Sequence, residues 1–362
     1  MGRAEDVPKG PADQNVEFLD GENWLFQRIQ QVRSVPELRC YHETYKVKGL
    51  TDIVGIRVGH VSDFDALTGC TAILCEKGAV AGVDIRGSAS GTEETPTIAP
   101  GGIVPAVHGI LLAGGSAFGL EAASGVRRFL ERRGAGFDVG VTKVPIVPAA
   151  ILFDLGIGKA TVRPTLAMGE AAAAAASDAA VAEGCVGAGT GATVGKILGM
   201  GNAMKSGVGS WTVSLPGGVL VSALMAVNAM GDVRDIETGK IIAGARKTAQ
   251  SREFLDSAEY MKQHAVRGLG ARNTSIGVVA TNARLDKLQA TKLAQFGGLG
   301  MARAINPVNT MFDGDTLFAL SMGSLEADVN SLGVAAAEAV AKAIVRAVRM
   351  AKTMGGVPGL AG

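Results

Sequence analysis

The sequence predicts a layered α+β body, and three observations carry that prediction. Short apolar or β-branched runs cut by glycine come in adjacent groups, helical patterns come as long single blocks, and no repeat of fixed period joins them. Strict strand–helix alternation would instead indicate a parallel, doubly wound sheet. Composition agrees. Of 362 residues, 51 are glycine, about twice the usual share, whereas Phe, Trp and Tyr number only 11, 2 and 3. An apolar fraction of 47% with a net charge of +1 excludes a disordered chain. The glycines keep no three-residue period, which excludes collagen. The core is therefore read as Ala, Val, Ile and Leu, with glycine where backbones come close.

Residues 1–48 differ from the rest, being rich in charges of both signs and poor in glycine. Val16, Leu19, Trp24, Leu25, Ile29 and Val32 fall roughly at helical spacing, which reads as a short amphipathic helix in an N-terminal extension. Residues 49–362 read as one domain. Within it, 52–59, 71–75 and 79–85 read as strands, and 120–132 reads as a helix. Residues 164–183, with six consecutive alanines at 171–176, read as another, because alanine has the best helix propensity. Residues 219–228 and 276–281 read as buried strands. A helix over 287–305 presents Ala290, Leu293, Ala294, Gly297, Met301 and Ala304 on one face. The last helix, 331–352, has an apolar stripe of Ala336, Ala339, Val340, Ala343, Ile344, Ala347 and Val348.

Near-neutral charge gives no electrostatic reason to expect nucleic acid or an anionic membrane as partner. The longest apolar stretch, 101–115, is too short to span a bilayer, and residues 1–15 show no apolar signal segment. Cys40, Cys70, Cys75 and Cys185 have no framework spacing, so reduced thiols in a cytoplasm are the expectation. No cofactor or metal is expected. The four histidines stand singly, without H-E-x-x-H or paired cysteines.

Several glycine-rich stretches imitate known sites and fail at specific positions. Gly187-Ala-Gly-Thr-Gly-Ala192 fits a relaxed dinucleotide pattern but lacks the preceding strand; a tight turn explains it better. Gly195-Lys196 resembles a phosphate loop, yet Thr190 and Ile197 stand where glycine and a hydroxyl residue belong. Gly114-Gly-Ser116-Ala-Phe118 is not G-x-S-x-G, because Phe118 takes the second glycine position. Lys196 itself, inside a glycine-dense buried segment, needs a partner. The stretch Leu269-Gly-Ala-Arg-Asn273-Thr274-Ser-Ile-Gly-Val-Val-Ala-Thr281 leads from a glycine-rich approach directly into a strand. By itself it is a loop entering a strand.

Eight segments in order change that reading. They are Gly49-Leu-Thr-Asp-Ile-Val-Gly-Ile-Arg-Val-Gly-His60, Thr68-Gly-Cys-Thr71, Val83-Asp-Ile-Arg-Gly87, Gly114-Gly-Ser-Ala-Phe-Gly-Leu-Glu121, Val144-Pro-Ile-Val-Pro-Ala-Ala150, Gly187-Ala-Gly-Thr-Gly-Ala-Thr-Val-Gly-Lys196, Asn273-Thr274 and Asp313-Gly-Asp-Thr-Leu-Phe318. With them the chain resembles the L-aminopeptidase/D-alanine esterase-amidase family, which includes β-aminopeptidases and nylon-oligomer hydrolases. The resemblance implies an αββα sandwich of the N-terminal-nucleophile type, cut by itself between Asn273 and Thr274. It implies that the freed Thr274 is the nucleophile, that Lys196 is a cation beside it, and that Asn228 donates into an oxyanion hole. It also implies that Asp313 and Asp315 hold the Thr274 amine and hydroxyl. In the aminopeptidase branch these two places hold a serine and a glutamate, so this chain stands nearer the nylon-hydrolase branch. Phe153 occupies the place of a tyrosine that lines the family's substrate site.

From the residues alone, Asn228 could equally cap its strand, and the two aspartates could form a turn. The implied activity is hydrolysis of small amides, peptides or oligoamides through an acyl-threonine intermediate, by a homo-oligomer that is a tetramer by the same resemblance. Two alternatives stand beside it: acyl transfer of the ornithine acetyltransferase type, and a non-catalytic binding or assembly protein that keeps the fold.

Overall fold

A computed structural model describes residues 48–264 and 273–362 of the chain, within the unit Val47–Gly362. The amphipathic helix expected between residues 16 and 32 lies outside the described residues. The long strands are β1 (Arg57–Asp63), β2 (Thr68–Ile85), β3 (Val107–Ala113), β4 (Ala149–Ile151), β5 (Val208–Leu215), β6 (Val219–Asn228), β7 (Thr274–Ala283) and β8 (Thr316–Leu325). The helices are α1 (Glu121–Arg132), α2 (Leu166–Ala174), α3 (Ser257–His264), α4 (Lys287–Ala304) and α5 (Val329–Arg349).

Two sheets share one strand. The first half of β2 pairs with β1 and β3, and β3 in turn pairs with β4. The second half of β2, from Val80 to Ile85, pairs with β8, which continues through β7 and β6 to β5. Side chains that alternate along each strand then fill three apolar layers. Val221, Ala223, Met225 and Val227 of β6 face α4 and α5, where they meet Leu293, Met301, Ala336, Val340 and Ile344. Leu224 and Ala226 face the other way, with Ile276, Val278 and Phe318, toward Ile73, Ile110 and Leu112 of the opposite sheet. Cys70, Ala72, Leu74 and Leu111 pack against α1 and α2. Helix, sheet, sheet, helix: this is the αββα sandwich.

The sequence pattern is corrected in three places. The expected strand over 52–59 begins as a 3-10 turn, Leu50–Asp52. Gly55 at φ 94° breaks the extension, and the strand proper starts at Arg57. The expected pair 71–75 and 79–85 is one strand. Gly78, at φ 92°, absorbs the register shift between Leu74 and Ala79, as a bulge glycine does. The alanine-rich helix stops at Ala174, well short of 183. Ser177 leaves the helix to exchange two backbone hydrogen bonds with Val58 (2.9 and 3.1 Å), and this pairing outweighs alanine propensity.

The shortened helix also explains a glycine. A Cβ on Gly59 of β1 would come within 2.1 Å of the Ala172 carbonyl oxygen and 2.7 Å of the Ala176 nitrogen. Gly59→Ala is therefore expected to cost about 1–3 kcal/mol by overpacking. Thermal unfolding should show this as a fall of several degrees in midpoint. An unchanged midpoint would mean that β1 and α2 part easily.

Candidate active site

Register alone brings four chemical groups to one end of the second sheet. Strands β6 and β7 are antiparallel, so the last residue of β6, Asn228, lies opposite the first residue of β7, Thr274. Strands β7 and β8 are parallel, with Ile276 beside Thr316. The turn preceding β8 therefore places Asp313 and Asp315 against the head of β7, where Asn273 forms a bridge with Asp313. All are buried: Asn228 1%, Asn273 5%, Thr274 3%, Asp313 1% and Asp315 2% exposed.

Thr274 donates its hydroxyl hydrogen bond to the carbonyl oxygen of Asn273, the residue before it. Asp315 accepts the backbone N–H of Ser275 (2.6 Å) on one oxygen and that of Asn309 (2.9 Å) on the other. Asp313 accepts the N–H and hydroxyl of Thr310 at 3.0 and 2.5 Å. Asp313 is thus fixed by its own turn, and Asp315 is shared between that turn and the head of β7.

Lys196 reaches the same point from another segment. Gly195 at φ 70° makes the bend, and the backbone of Gly195 and Lys196 bonds to Gly231 and Met230 just beyond β6 (3.0 and 2.9 Å). Its Nζ then lies 2.9 Å from both the carbonyl and the side-chain oxygen of Asn228. The Asn228 amide is held from both ends. Its Oδ1 also accepts the N–H of Thr193 (3.1 Å) and its Nδ2 donates to the carbonyl of Phe153 (2.8 Å). Those donors identify the oxygen, and the second Nδ2 hydrogen remains for another acceptor. Phe153 touches this network through its backbone, so a ring hydroxyl is not needed for that contact.

Burial dominates the electrostatics. It pushes the Lys196 ammonium down to about 7, against the opposing pull of Asp313, Asp315 and Asp154. It raises the Asp315 carboxyl far above the usual range, helped by the Asp313 charge and opposed by the Ser275 and Asn309 N–H groups and by Lys196.

Sequence reasoning missed two buried charges behind this site. Lys205 is fully buried and donates to the carbonyls of Ala192 (2.8 Å), Ser206 (2.9 Å) and Gly189 (3.4 Å); burial pushes it down to about 8. The glycine-rich segment 187–192 thus wraps a lysine of its own chain. Asp154, next to Phe153, accepts the Thr68 hydroxyl and the Gly115 N–H, both at 2.7 Å, and burial raises its carboxyl. The sequence offered one signal for it, an acid ending the apolar run Ala149-Ala-Ile-Leu-Phe-Asp154.

Burial pushes the Cys70 and Cys75 thiols up to about 12 and the His60 imidazole down to about 4, and His60 Nδ1 is engaged with Thr71 Oγ1 at 2.9 Å. Among the described residues, no group of three His, Cys, Asp or Glu could hold a metal ion. No described helix is long and apolar enough to cross a membrane.

The αββα sandwich thus sets a buried threonine at the head of a central strand, with a lysine, an amide and two carboxyls gathered at the same strand end. The model of Peptidase family S58 matches residues 48–361, and the chain belongs to that family. An uncharacterised aminopeptidase of Mycobacterium leprae is 38% identical over 347 residues, covering 86% of this chain and 93% of the relative. A 6-aminohexanoate-oligomer endohydrolase of a Kocuria species is 30% identical over 321 residues, covering 82% and 85%. The fold is similar to that of the L-aminopeptidase D-Ala-esterase/amidase of Ochrobactrum anthropi, described as a variant of the Ntn hydrolase fold. That likeness has a TM-score of 0.65 and 21% identity, and covers 86% of this chain and 88% of the other. The protein is a hydrolase acting on amide bonds.

Proposed function

We propose that the chain cuts itself between Asn273 and Thr274, and that the freed Thr274 hydrolyses small peptides or oligoamides through an acyl-threonine intermediate. The observation that carries this reading is the Thr274 hydroxyl lying against the Asn273 carbonyl, with Lys196, Asn228, Asp313 and Asp315 converging on the same strand end. A threonine hydroxyl is a poor nucleophile and needs a base. In the uncut chain the Thr274 nitrogen is an amide and cannot serve, so Lys196 in its neutral form is the base for the cut. Once freed, the α-amino group, with an ordinary pKa of about 7.7–8.0, takes over as base on the same residue that carries the nucleophile.

In hydrolysis, Thr274 Oγ attacks the substrate carbonyl, the freed amine takes the hydroxyl proton, and Asn228 Nδ2 donates to the developing oxyanion. The leaving amine receives the proton, and water resolves the ester by the same route. Asp313 and Asp315 hold the freed α-amino group and the hydroxyl in place. Asn228→Ala is expected to lower kcat by about 100- to 1,000-fold with a smaller change in KM. Loss confined to KM would give Asn228 a binding role instead.

The relatives' names divide between aminopeptidase and oligoamide hydrolase. Assaying the processed protein on aminoacyl amides beside 6-aminohexanoate oligomers decides the substrate class, and turnover of neither would remove the reading. Transfer of the acyl group to an added amine in preference to water would move it to the acyltransferases. The same reading carries a homo-oligomer, a tetramer by family resemblance, in the cytoplasm. Residues 1–48 stand as an extension outside the hydrolase domain 49–362, in keeping with the span of the family match.

A further inference from the structure

Asp313-Gly314-Asp315 supplies more than two carboxyls. The N–H of Gly314 donates to the carbonyl oxygen of Asn273 at 2.9 Å, the oxygen on which negative charge develops when that carbonyl is attacked. Among the described residues it is the one backbone N–H that donates to that oxygen. The turn aims it firmly, because the Asp313 carbonyl accepts the Ala89 N–H (2.9 Å) and the Gly314 carbonyl accepts the Thr316 hydroxyl (3.0 Å). A Cβ at position 314 would come within 2.5 Å of the Ala89 carbonyl oxygen and 2.9 Å of Thr274 Oγ1. Only glycine brings this N–H so close to the nucleophile. Among the described residues, Asn228 Nδ2 bonds to the Phe153 carbonyl (2.8 Å) and not to the Asn273 carbonyl, and its second hydrogen is the one left for a substrate oxyanion.

We infer that Gly314 N–H is the oxyanion donor of the self-cleavage step, separate from the Asn228 donor used in hydrolysis. This rests on the reading that the chain cuts itself before Thr274. In the step, Thr274 Oγ forms a bond to the Asn273 carbonyl carbon and its proton passes to neutral Lys196. The C=O π pair moves onto oxygen, where Gly314 N–H meets the charge; the hydroxyl's own hydrogen bond to that oxygen has gone with its proton. Collapse reforms C=O and breaks the C–N bond, and Lys196 returns the proton to the Thr274 nitrogen. The products are a free amine and an Asn273–Thr274 ester. Water cleaves that ester, leaving the Asn273 carboxylate and the Thr274 hydroxyl.

The test replaces the Gly314 amide by an ester, with glycolic acid incorporated at position 314 of the full chain in cell-free translation. Self-cleavage is followed by intact mass. The rate should fall about 100- to 1,000-fold. A second ester, lactic acid at position 89, removes the donor to the Asp313 carbonyl but keeps Gly314 N–H, and should slow the cut less than tenfold. A Gly314 ester that cuts at the wild-type rate, or two esters equally slow, overturns the inference while leaving the Thr274 cut intact. A wild-type chain that stays whole overturns both.

Discussion

Thr274→Ala should leave the chain whole and inactive. The uncut protein runs at 36.8 kDa. The wild type should instead give pieces of 273 and 89 residues, about 28 and 9 kDa when mass is scaled by length. The alanine variant loses the attacking oxygen, so no ester can form, and the nitrogen of residue 274 stays an amide that cannot act as base. Hydrolysis should drop by about 10⁶-fold, as when a hydroxyl nucleophile is removed elsewhere. Thr274→Ser keeps the oxygen and should retain part of both reactions. Hydrolysis surviving in Thr274→Ala would place the nucleophile on another residue.

The second large effect is expected at Lys196. Burial lowers its ammonium to about 7, so its neutral fraction grows as pH rises through 7. Self-cleavage should therefore accelerate across that range and level off above it. Lys196→Arg keeps a positive charge yet cannot give up a proton near neutrality. Self-cleavage should fall about 100- to 10,000-fold, and the rise near pH 7 should disappear. A variant that cuts within threefold of wild type would show that position 196 supplies charge alone. Linkage has a definite sign here. The folded state disfavours the protonated amine, so this group adds stability as pH rises from about 7 toward its ordinary 10.5.

Much of the fold was legible because its layers are written in simple periods. The apolar stripes expected on α4 and α5 are the residues buried against the second sheet. What the pattern misjudged were places where distant pairing decides. Strand β2 is continuous because Gly78 absorbs a register shift in its pairing with β3, and α2 is short because Ser177 pairs with Val58. Neither is encoded within a local window.

The site divides the same way. Asn228, Thr274, Asp313 and Asp315 lie far apart in sequence, and periodicity could not say that they meet; the family resemblance nominated them, and strand register brings them together. Lys205 and Asp154 left almost no signal. A lysine among apolar residues reads as surface until the three carbonyls that receive it are folded around it. The Gly314 N–H is invisible to any reading of side chains, since its chemistry belongs to the backbone. The glycine excess is thus partly a record of close approach, at Gly59 between layers and at Gly314 beside the Thr274 hydroxyl.

Intact mass and N-terminal sequencing of the purified wild-type protein test the central claim most directly. Self-cleavage predicts two chains of 273 and 89 residues, the smaller beginning Thr-Ser-Ile-Gly-Val. A single chain of full mass that hydrolyses amides would contradict it.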